Sequence, residues 1–158
     1  MISPEVLRKY RFFSFMTPAQ LREVAMISTE LEFSTESELF ATGDPAENLY
    51  LLEMGNIELH YVSIDENLPH LRKDFLVGVI NPGEIFGISA LIEPHVMGAT
   101  AKTIADGQAI QIDATELRRL SMEDSALAYG LQKAVAEVAM SRITHTRVLL
   151  AGASSPLN

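Results

Sequence analysis

The sequence contains no cysteine. Disulfide bonds and thiolate chemistry, whether at a metal ion or in a nucleophile, are therefore excluded. No apolar run approaches the roughly 20 residues that a bilayer-spanning helix needs, so no membrane association is expected. The first residues, Met1–Glu5, also lack the basic region and apolar block of a signal peptide. Together these absences predict a soluble cytoplasmic protein.

Positive charge is also scarce in this chain. Lysine and arginine number 12 against 21 aspartates and glutamates, which leaves a formal net charge of -9. Proteins that grip DNA usually present a basic face, because neutralisation of phosphates supplies much of their affinity. The acidic balance therefore argues against DNA binding, and solubility is its simplest role. Apolar residues, by contrast, make up 47% of the 158 positions, which is enough for one domain with a sizeable core.

The chain shows no residue spacing typical of a catalytic or metal site. Its four histidines, His60, His70, His95 and His145, include no His-x-His or His-x-x-x-His pair, so ordinary surface histidines are the simpler interpretation. Ser89 lies in Gly-Ile-Ser-Ala-Leu, which lacks the second glycine of a nucleophile elbow. No glycine-rich phosphate loop occurs either. We predict a protein that is not an enzyme and has no metal ligands.

Residues 1–30 carry two helix starts. Ser3 and Thr17 each precede a proline, the pattern of an N-cap hydroxyl followed by proline at the first helical position. The segment Tyr10–Met16 between them is too apolar for a free loop, so we expect it to pack against the part of the chain that comes after it. A helical apolar face succeeds the second start and comprises Leu21, Val24, Ala25 and Ile27.

Residues 31–113 change to the pattern of short strands. The strand-like segments span residues 31–35, 49–53, 56–62, 75–80, 100–104 and 108–113. The last two flank Asp106-Gly107, a dipeptide typical of hairpin turns. The polar segment 63–74 predicts a mobile hairpin tip. Many short strands separated by turns favour a sandwich or barrel.

Residues 114–152 return to a helical pattern. Asp113 with Glu116, and Ser121 with Asp124, have the spacing of a capping box. We therefore predict helices starting near both pairs.

The last helix is predicted to be long. No proline occurs between Ser121 and Pro156, so residues 124–151 can form one helix of about 40 Å. Gly152 stands where a C-cap would end it. Residues 153–158 then form a tail.

Two segments carry a family resemblance. Gly43–Leu59 reads Gly-Asp-Pro-Ala-Glu-Asn-Leu-Tyr-Leu-Leu-Glu-Met-Gly-Asn-Ile-Glu-Leu. Asn81–Thr103 begins Asn-Pro-Gly-Glu-Ile-Phe-Gly-Ile-Ser-Ala-Leu and, after an acidic loop, ends Met-Gly-Ala-Thr-Ala-Lys-Thr. Together they resemble the cyclic nucleotide-binding domain family, the sensor module of CRP/FNR-type regulators and of cyclic-nucleotide-gated kinases and channels. The resemblance implies a mainly β fold, an eight-stranded jelly roll (double-stranded β-helix) with helices at both ends.

The resemblance also implies a phosphate-binding cassette within residues 81–103. Gly83 permits a tight turn, Phe86 anchors a strand end, and Gly87 opens a short helix over residues 88–92. The free N–H groups at such a helix start suit an anion. The implied ligand pocket comprises Phe86, Gly87, Ile88, Ser89, Ala90, Leu91, Met97, Gly98, Ala99 and Thr100.

Two positions of this pocket depart from the family pattern. Ile88 stands where the resemblance implies a glutamate for the ribose hydroxyl, and Met97 where it implies an arginine for the cyclic phosphate. Isoleucine forms no hydrogen bond and methionine carries no charge, so neither replaces the lost group. A hydrogen bond to a charged group contributes roughly 1.5–3 kcal/mol, so we expect cyclic AMP and cyclic GMP to bind weakly or not at all. The Thr100 hydroxyl and the cassette amides remain.

Two interpretations of the pocket stay open at this point. In one, Ile88, Leu91 and Met97 fill the barrel interior, and the pocket is closed. In the other, the pocket is re-purposed for an apolar or weakly polar small ligand. An open or a filled cavity beside Ile88 and Met97 distinguishes the two.

A largely apolar stripe runs along the long last helix. It comprises Leu127, Leu131, Ala134, Val138, Ser141, His145 and Val148. Such a stripe covers either its own barrel or a second copy, and the helix length favours a homodimer centred near Leu131 and Val138. In the regulators that the chain resembles, this helix forms the dimer axis and leads into a helix-turn-helix domain. Here the chain stops at Asn158, so we expect no DNA-reading domain.

The leading hypothesis is a stand-alone, non-catalytic sensor or regulatory module that signals through a dimer. A small-molecule ligand or a protein partner would shift the long helix relative to the barrel. The alternative is a structural or scaffolding subunit with a filled pocket that binds only protein.

Overall fold

The computed structural model describes residues 1–64, 67–68 and 70–154. Within them, eight strands form two four-stranded antiparallel sheets. The strands are β1 Ser28–Phe33, β2 Glu38–Phe40, β3 Asn48–Met54, β4 Ile57–Ile64, β5 Arg72–Ile80, β6 Ile85–Phe86, β7 Thr100–Thr103 and β8 Gly107–Asp113. The flanking helices are α1 Pro4–Arg8, α2 Pro18–Met26, α3 Ala114–Glu123 and α4 Ser125–Ser154. Short 3₁₀ helices occupy Arg11–Phe13 and Ile88–Leu91.

The two sheets have the strand orders β1-β8-β3-β6 and β2-β7-β4-β5. Every step along the chain except that from β4 to β5 changes sheet, which is the winding of a jelly roll. The predicted mainly β jelly roll with helices at both ends is therefore confirmed. The first strand begins at Ser28, slightly before the predicted boundary at residue 31.

The Asp106-Gly107 dipeptide does not form the predicted hairpin turn. It carries the chain from β7 in one sheet to β8 in the other. A Cβ atom on Gly107 would lie 2.6 Å from Cζ of Phe33, so the crossing has no room for a side chain. The Asp106 carboxylate accepts a hydrogen bond of 2.7 Å from the Thr35 amide. Close packing of the crossing therefore explains this glycine better than turn propensity does.

The hairpin predicted around residues 63–74 is formed by β4 and β5. Their pairing runs from Ile57 opposite Ile80 to Ile64 opposite Arg72, so both strands reach into the polar segment. The predicted mobility of the tip falls partly on residues 65, 66 and 69, which lie outside the described residues.

Both predicted helix starts near the N-terminus are confirmed. The Ser3 hydroxyl accepts a hydrogen bond of 3.3 Å from the Glu5 amide. Thr17 and Gln20 form a complete capping box: the Gln20 amide donates to the Thr17 hydroxyl, and the Thr17 amide donates to the Gln20 side chain. The apolar segment between the helices packs as expected, with Phe12, Phe13 and Met16 buried.

The two C-terminal helices start at aspartates. Asp113 caps α3 by accepting a hydrogen bond of 3.0 Å from the Glu116 amide, so the predicted helix start is confirmed. The reciprocal bond of the predicted capping box is not formed, because the Glu116 carboxylate accepts from Arg119 and the Asp113 amide donates to the Ile27 carbonyl. The capping box predicted for Ser121 is wrong, because Ser121 lies inside α3 and its hydroxyl donates to the Leu117 carbonyl. Asp124 itself begins α4, and its carboxylate accepts from the Leu127 amide at 3.0 Å.

The end of α4 also differs from the prediction. The helix continues through Gly152 to Ser154, so Gly152 is not its C-cap. A single exposed glycine costs a helix about 1 kcal/mol relative to alanine, which is insufficient to end it. Residues 155–158 of the predicted tail lie outside the described residues. Among the helices that the structure describes, none is long and apolar enough to cross a membrane.

Candidate functional site

Strand β6 and the glycine after it position the cassette. Phe86 pairs with Tyr50 of β3, and Gly87 then adopts a φ of 74°. A Cβ atom on Gly87 would lie 3.0 Å from Cδ2 of Tyr50 and 3.3 Å from the Asn48 carbonyl oxygen. Both the left-handed backbone and the tight space require glycine here. The next helix, Ile88–Leu91, is one residue shorter than predicted and is of the 3₁₀ type.

An aromatic stack supports this part of the site. The rings of Tyr50 and Phe86 lie 5.0 Å apart, and Phe40 stacks on them at 5.5 and 6.2 Å. Phe86 is fully buried, so it anchors the strand end as predicted. Burial also raises the pKa of the Tyr50 hydroxyl. The stack is therefore a rigid, neutral floor for the cassette.

The aromatic stack forms one wall of the site. The chain around residue 97, which pairs with the loop before Ala46, forms a second wall. The Met97 amide donates to the Asp44 carbonyl and the Gly43 amide donates to the Met97 carbonyl, both at 2.8 Å. The Thr42 amide donates to the Thr100 hydroxyl at 2.8 Å, and the two threonine hydroxyls are 2.9 Å apart. The Thr100 hydroxyl, expected to remain for a ligand, is thus already engaged within the protein.

A cavity of about 180 Å³ lies between these walls. Six of the ten predicted pocket residues line it, namely Gly87, Ile88, Ser89, Met97, Gly98 and Ala99. The other four, Phe86, Ala90, Leu91 and Thr100, are buried and do not line it. The cavity beside Ile88 and Met97 is therefore open but small. Ligand pockets usually have about 300–1,000 Å³.

Two side chains of α4 complete the cavity, and the sequence reasoning assigned neither of them to the site. Arg142 and Thr146 lie one helical turn apart and both line it. The Thr146 hydroxyl donates to the Val77 carbonyl of β5 at 3.0 Å. The Arg142 guanidinium donates to the Ile85 carbonyl of β6. In the sequence these two residues appear as a polar pair four positions apart on a largely apolar helix. That spacing does not show that α4 passes over the cassette.

Arg142 is the cationic group of the cavity. It is half-buried, and among the described residues it forms no ion pair. Burial lowers the pKa of its guanidinium to about 10, and the charge of Glu84 opposes that shift. The Glu84 carboxylate itself accepts a hydrogen bond from the Asn81 amide at 3.0 Å. Arg142 therefore stays charged at neutral pH in a desolvated setting.

The helices hold the cassette from its other end. The Arg118 guanidinium of α3 donates to the Ala90 carbonyl at 2.7 Å, and the Gln132 amide of α4 donates to the Leu91 carbonyl at 3.1 Å. With the bond from Arg142 to Ile85, polar contacts tie residues 85–91 of the cassette to the C-terminal helices. A displacement of the cassette would therefore strain these contacts.

The residues of the predicted dimer stripe fall into two groups in the structure, one buried in the chain's own core and one at the surface. Leu127 and Leu131 are 0% and 1% exposed and pack in the chain's own core, so the prediction that Leu131 lies at the centre of a dimer interface is wrong. They face inward because α4 covers the cassette and α3. Ala134 and Val138 are half-buried and line a surface groove of about 750 Å³, bounded by the Arg11–Phe15 segment.

The second half of α4 has a different character. Four of its large apolar side chains are exposed: Met140 by 60%, Ile143 by 44%, Val148 by 65% and Leu150 by 67%. Ser141 and His145, which were assigned to the stripe, are exposed too. The apolar surface of this chain thus lies farther along the helix than predicted.

Within the part of the chain that the structure describes, no group of three or more acidic or histidine side chains could hold a metal ion. His60 instead lies in a surface ion cluster, with Nδ1 2.7 Å from Oδ1 of Asp74. Lys102 contacts the other oxygen of that carboxylate at 2.6 Å, and these two neighbours lower the pKa of Asp74.

Known proteins share both the sequence pattern and the fold of this chain. The sequence profile of the cyclic nucleotide-binding domain family matches residues 30–124. Among curated relatives, the CRP-like cAMP-activated global transcriptional regulator of Mycobacterium tuberculosis is 24% identical over 114 residues, 72% of this chain and 48% of that protein. The anaerobic regulatory protein of Bacillus subtilis is 29% identical over 109 residues, 68% of this chain and 43% of that protein. The chain thus spans about half the length of these relatives.

Solved structures agree with the sequence comparison. A protein from Geobacter metallireducens GS-15, whose name assigns it to the cyclic nucleotide-binding proteins, is 37% identical with a TM-score of 0.80. The match covers 90% of this chain and 99% of that one. The sensor domain of the transcriptional regulator DNR from Pseudomonas aeruginosa has the same fold, with a TM-score of 0.69 at 18% identity over 85% of this chain and 91% of that one. With the family profile matching more than half of the sequence, the chain belongs to the cyclic nucleotide-binding domain family and resembles the sensor domains of CRP/FNR-type regulators.

Proposed function

We propose that this protein is a non-catalytic sensor or regulatory module whose nucleotide pocket has degenerated and which signals through a dimer. The observation that carries the proposal is the small cavity under α4, with Ile88 and Met97 in its wall. One curated relative is named as a transcriptional regulator and another as a regulatory protein, which supports a regulatory role.

The size and lining of the cavity disfavour cyclic nucleotides. At about 180 Å³ it is smaller than the pockets that hold drug-sized ligands, and a purine, a ribose and a cyclic phosphate need such a pocket. Of the residues that the structure describes, no acidic one lines it to accept from a ribose hydroxyl. Met97 is 3% exposed and fills the position implied for the phosphate-binding arginine.

Calorimetry with cyclic AMP and cyclic GMP tests this half of the proposal. We expect neither to give saturable heat, and neither to move the melting temperature at millimolar concentration beyond the effect of linear AMP at the same ionic strength. Linear AMP is the matched control for cyclic AMP because it carries the same base and sugar, and linear GMP is the corresponding control for cyclic GMP. A dissociation constant in the low micromolar range for either cyclic nucleotide would overturn the degenerate pocket.

The second half of α4 supports a dimer. The helix has 30 residues, which corresponds to about 45 Å. Its exposed apolar side chains include Met140, Ile143 and Leu150, whose spacing places them on one face of the helix. Exposed apolar faces of this kind mark interaction sites. The groove beside Val138 lies along the preceding part of the same helix. A second copy of α4 has the matching apolar stripe, so we assign this surface to a homodimer.

The contacts of α4 suggest how a signal would pass. Arg142 and Thr146 line the cavity while the same helix carries the proposed dimer surface. A ligand or partner that binds one position of α4 better than another would shift the helix relative to the barrel.

Light scattering at tens of micromolar protein tests the dimer. We expect twice the mass of the chain. A monomer with an intact β-sheet spectrum would reject signalling through a dimer.

The alternative, a scaffolding subunit that binds only protein, draws support from the groove of about 750 Å³, beside which Phe15 and Tyr129 are exposed. It predicts that no small molecule stabilises the protein.

In either case we expect no specific DNA binding by this chain, and a sequence-dependent mobility shift at physiological salt would contradict that.

A further inference from the structure

The cavity under α4 combines one cation with an otherwise nearly apolar lining. Its apolar side chains are Phe40, Leu59, Val77, Ile88 and Met97. Its side-chain polar groups are the Arg142 guanidinium and the hydroxyls of Ser89 and Thr146. Among the described residues, no aspartate or glutamate lines it. A molecule that enters therefore meets Arg142, which also borders the groove of about 750 Å³, two hydroxyl side chains and otherwise apolar side chains.

Arg142 has donors left for a ligand. A guanidinium carries five N–H groups in a planar fork, and only one bond, to the Ile85 carbonyl, is formed with the described residues. Arg142 is half-buried and forms no ion pair with the described residues, although the charge of Glu84 acts on it. A partly buried cation of this kind gains from a counter-ion at hydrogen-bond distance, and such groups concentrate at functional sites. The lowered pKa of Arg142 supports this partial burial.

The hydroxyls near Arg142 add further hydrogen-bonding capacity. The Thr146 hydroxyl gives its proton to the Val77 carbonyl, so its oxygen can still accept. The Ser89 hydroxyl makes no hydrogen bond with the residues that the structure describes, and it can donate to an anion. The volume of about 180 Å³ limits the ligand to a compact molecule.

We propose that this cavity binds a small organic carboxylate, with the carboxylate held by the fork of Arg142 and the apolar body packed among Phe40, Leu59 and Met97. The guanidinium fork matches a carboxylate in two parallel hydrogen bonds. The apolar lining favours a hydrocarbon body over a fully hydrated inorganic anion. This inference rests on the proposed sensor function, because it names the ligand class of the same pocket.

The experiment compares acids with their amides. Isobutyrate and benzoate are titrated into the full chain by calorimetry and thermal shift at constant ionic strength set with chloride. Isobutyramide and benzamide are the matched neutral probes, and inorganic phosphate is the anion without an apolar body. We expect at least one carboxylate to give a saturable rise in melting temperature, with at least tenfold weaker binding of its amide and of phosphate.

Variants on α4 locate the site. Arg142→Gln should weaken carboxylate binding at least tenfold, and Arg142→Lys should fall between it and the unmodified protein, because lysine keeps the charge but loses the fork. The matched control is Arg147→Gln, since Arg147 is exposed on the same helix. It should bind as the unmodified protein does.

Three results would overturn the inference. They are the absence of saturable binding by either carboxylate at millimolar concentration, equal binding of acid and amide, and full affinity in folded Arg142→Gln. If Arg142→Gln fails to fold, the comparison of acid with amide on the unmodified protein decides. Tight binding of a cyclic nucleotide, by contrast, would overturn the proposed degenerate pocket, so the two failures are distinguishable.

Discussion

Placing an arginine at position 97 is a direct test of the desolvated cavity under α4. Met97 is 3% exposed, and the described residues that line the cavity next to it include Arg142 but no acidic side chain. Met97→Arg would therefore put a second cation at a buried position beside Arg142, without an acidic partner among those lining residues. An uncompensated buried charge costs about 3–5 kcal/mol, and arginine does not lose its proton to escape that cost. We expect the free energy of unfolding to fall by at least about 3 kcal/mol.

The loss should be visible in simple assays. For a chain of this length each kcal/mol corresponds to roughly 2–4 °C, so the melting temperature should fall by about 6 °C or more. Urea unfolding followed by circular dichroism measures the same loss as free energy. Met97→Leu is the control, because a swap of similar volume without charge usually costs less than about 1.5 kcal/mol.

The partner substitution makes the reasoning sharper. Ile88→Glu introduces a carboxylate into the same cavity, where it can pair with an arginine at position 97. The double variant, Ile88→Glu with Met97→Arg, should therefore lose less free energy of unfolding than the two single variants lose together. Residues that share a site show coupling energies of about 0.5–3 kcal/mol. A loss below about 1 kcal/mol for Met97→Arg, or strictly additive effects in the double variant, would refute the picture of a small desolvated cavity.

Three further perturbations address the turn, the helix start and the dimer surface. Gly87→Ala should lower the free energy of unfolding in urea by more than about 1 kcal/mol, because Gly87 combines a φ of 74° with close packing on Tyr50. Gly83→Ala is the control and should cost less, because no atom lies within 4 Å of the added Cβ. Hydrogen bonds from Gln20 and from the amides of α4 lower the pKa of Asp124. The ionised Asp124 carboxylate therefore stabilises the folded state fully at pH values above the ordinary aspartate pKa of about 3.9, and this stabilisation is lost as pH falls through the lower pKa of the folded protein. Asp124→Asn should destabilise the protein at neutral pH, and unfolding curves measured in acid should show no difference between the variant and the unmodified protein. Ile143→Glu should give a folded monomer by light scattering, whereas Met122→Glu on α3, 88% exposed, should leave the mass unchanged.

Local signals in the sequence were reliable where the interaction is itself local. The caps at Ser3, Thr17 and Asp113 each depend on a side chain and an amide two or three residues away, so tertiary packing does not alter them. The failed prediction at Ser121 shows the limit of such patterns. Its hydroxyl found a carbonyl one turn back within α3 instead, and Asp124 began the next helix.

The cassette was predictable in its backbone but not in its contents. The segment around Phe86 and Gly87 predicted a buried strand end and a short helix, and the structure has both. The left-handed backbone of Gly87 is a finding of the structure. The sequence also indicated the loss of the two ligand-binding side chains at Ile88 and Met97. It did not show how large a cavity those side chains leave, because that depends on atoms from distant strands.

Sequence alone predicted the family, because two short segments carry its resemblance, and that resemblance implied the jelly roll and the departure from the nucleotide-binding pattern. The tertiary structure decided which face of α4 packs inward and which of its side chains contact the cassette. Leu127 and Leu131 became core, and Arg142 came to lie over a cassette some fifty residues earlier in the chain. Helical periodicity states which residues share a face, but not what that face will contact. Only the packing of α4 across β5 and the cassette determines that contact.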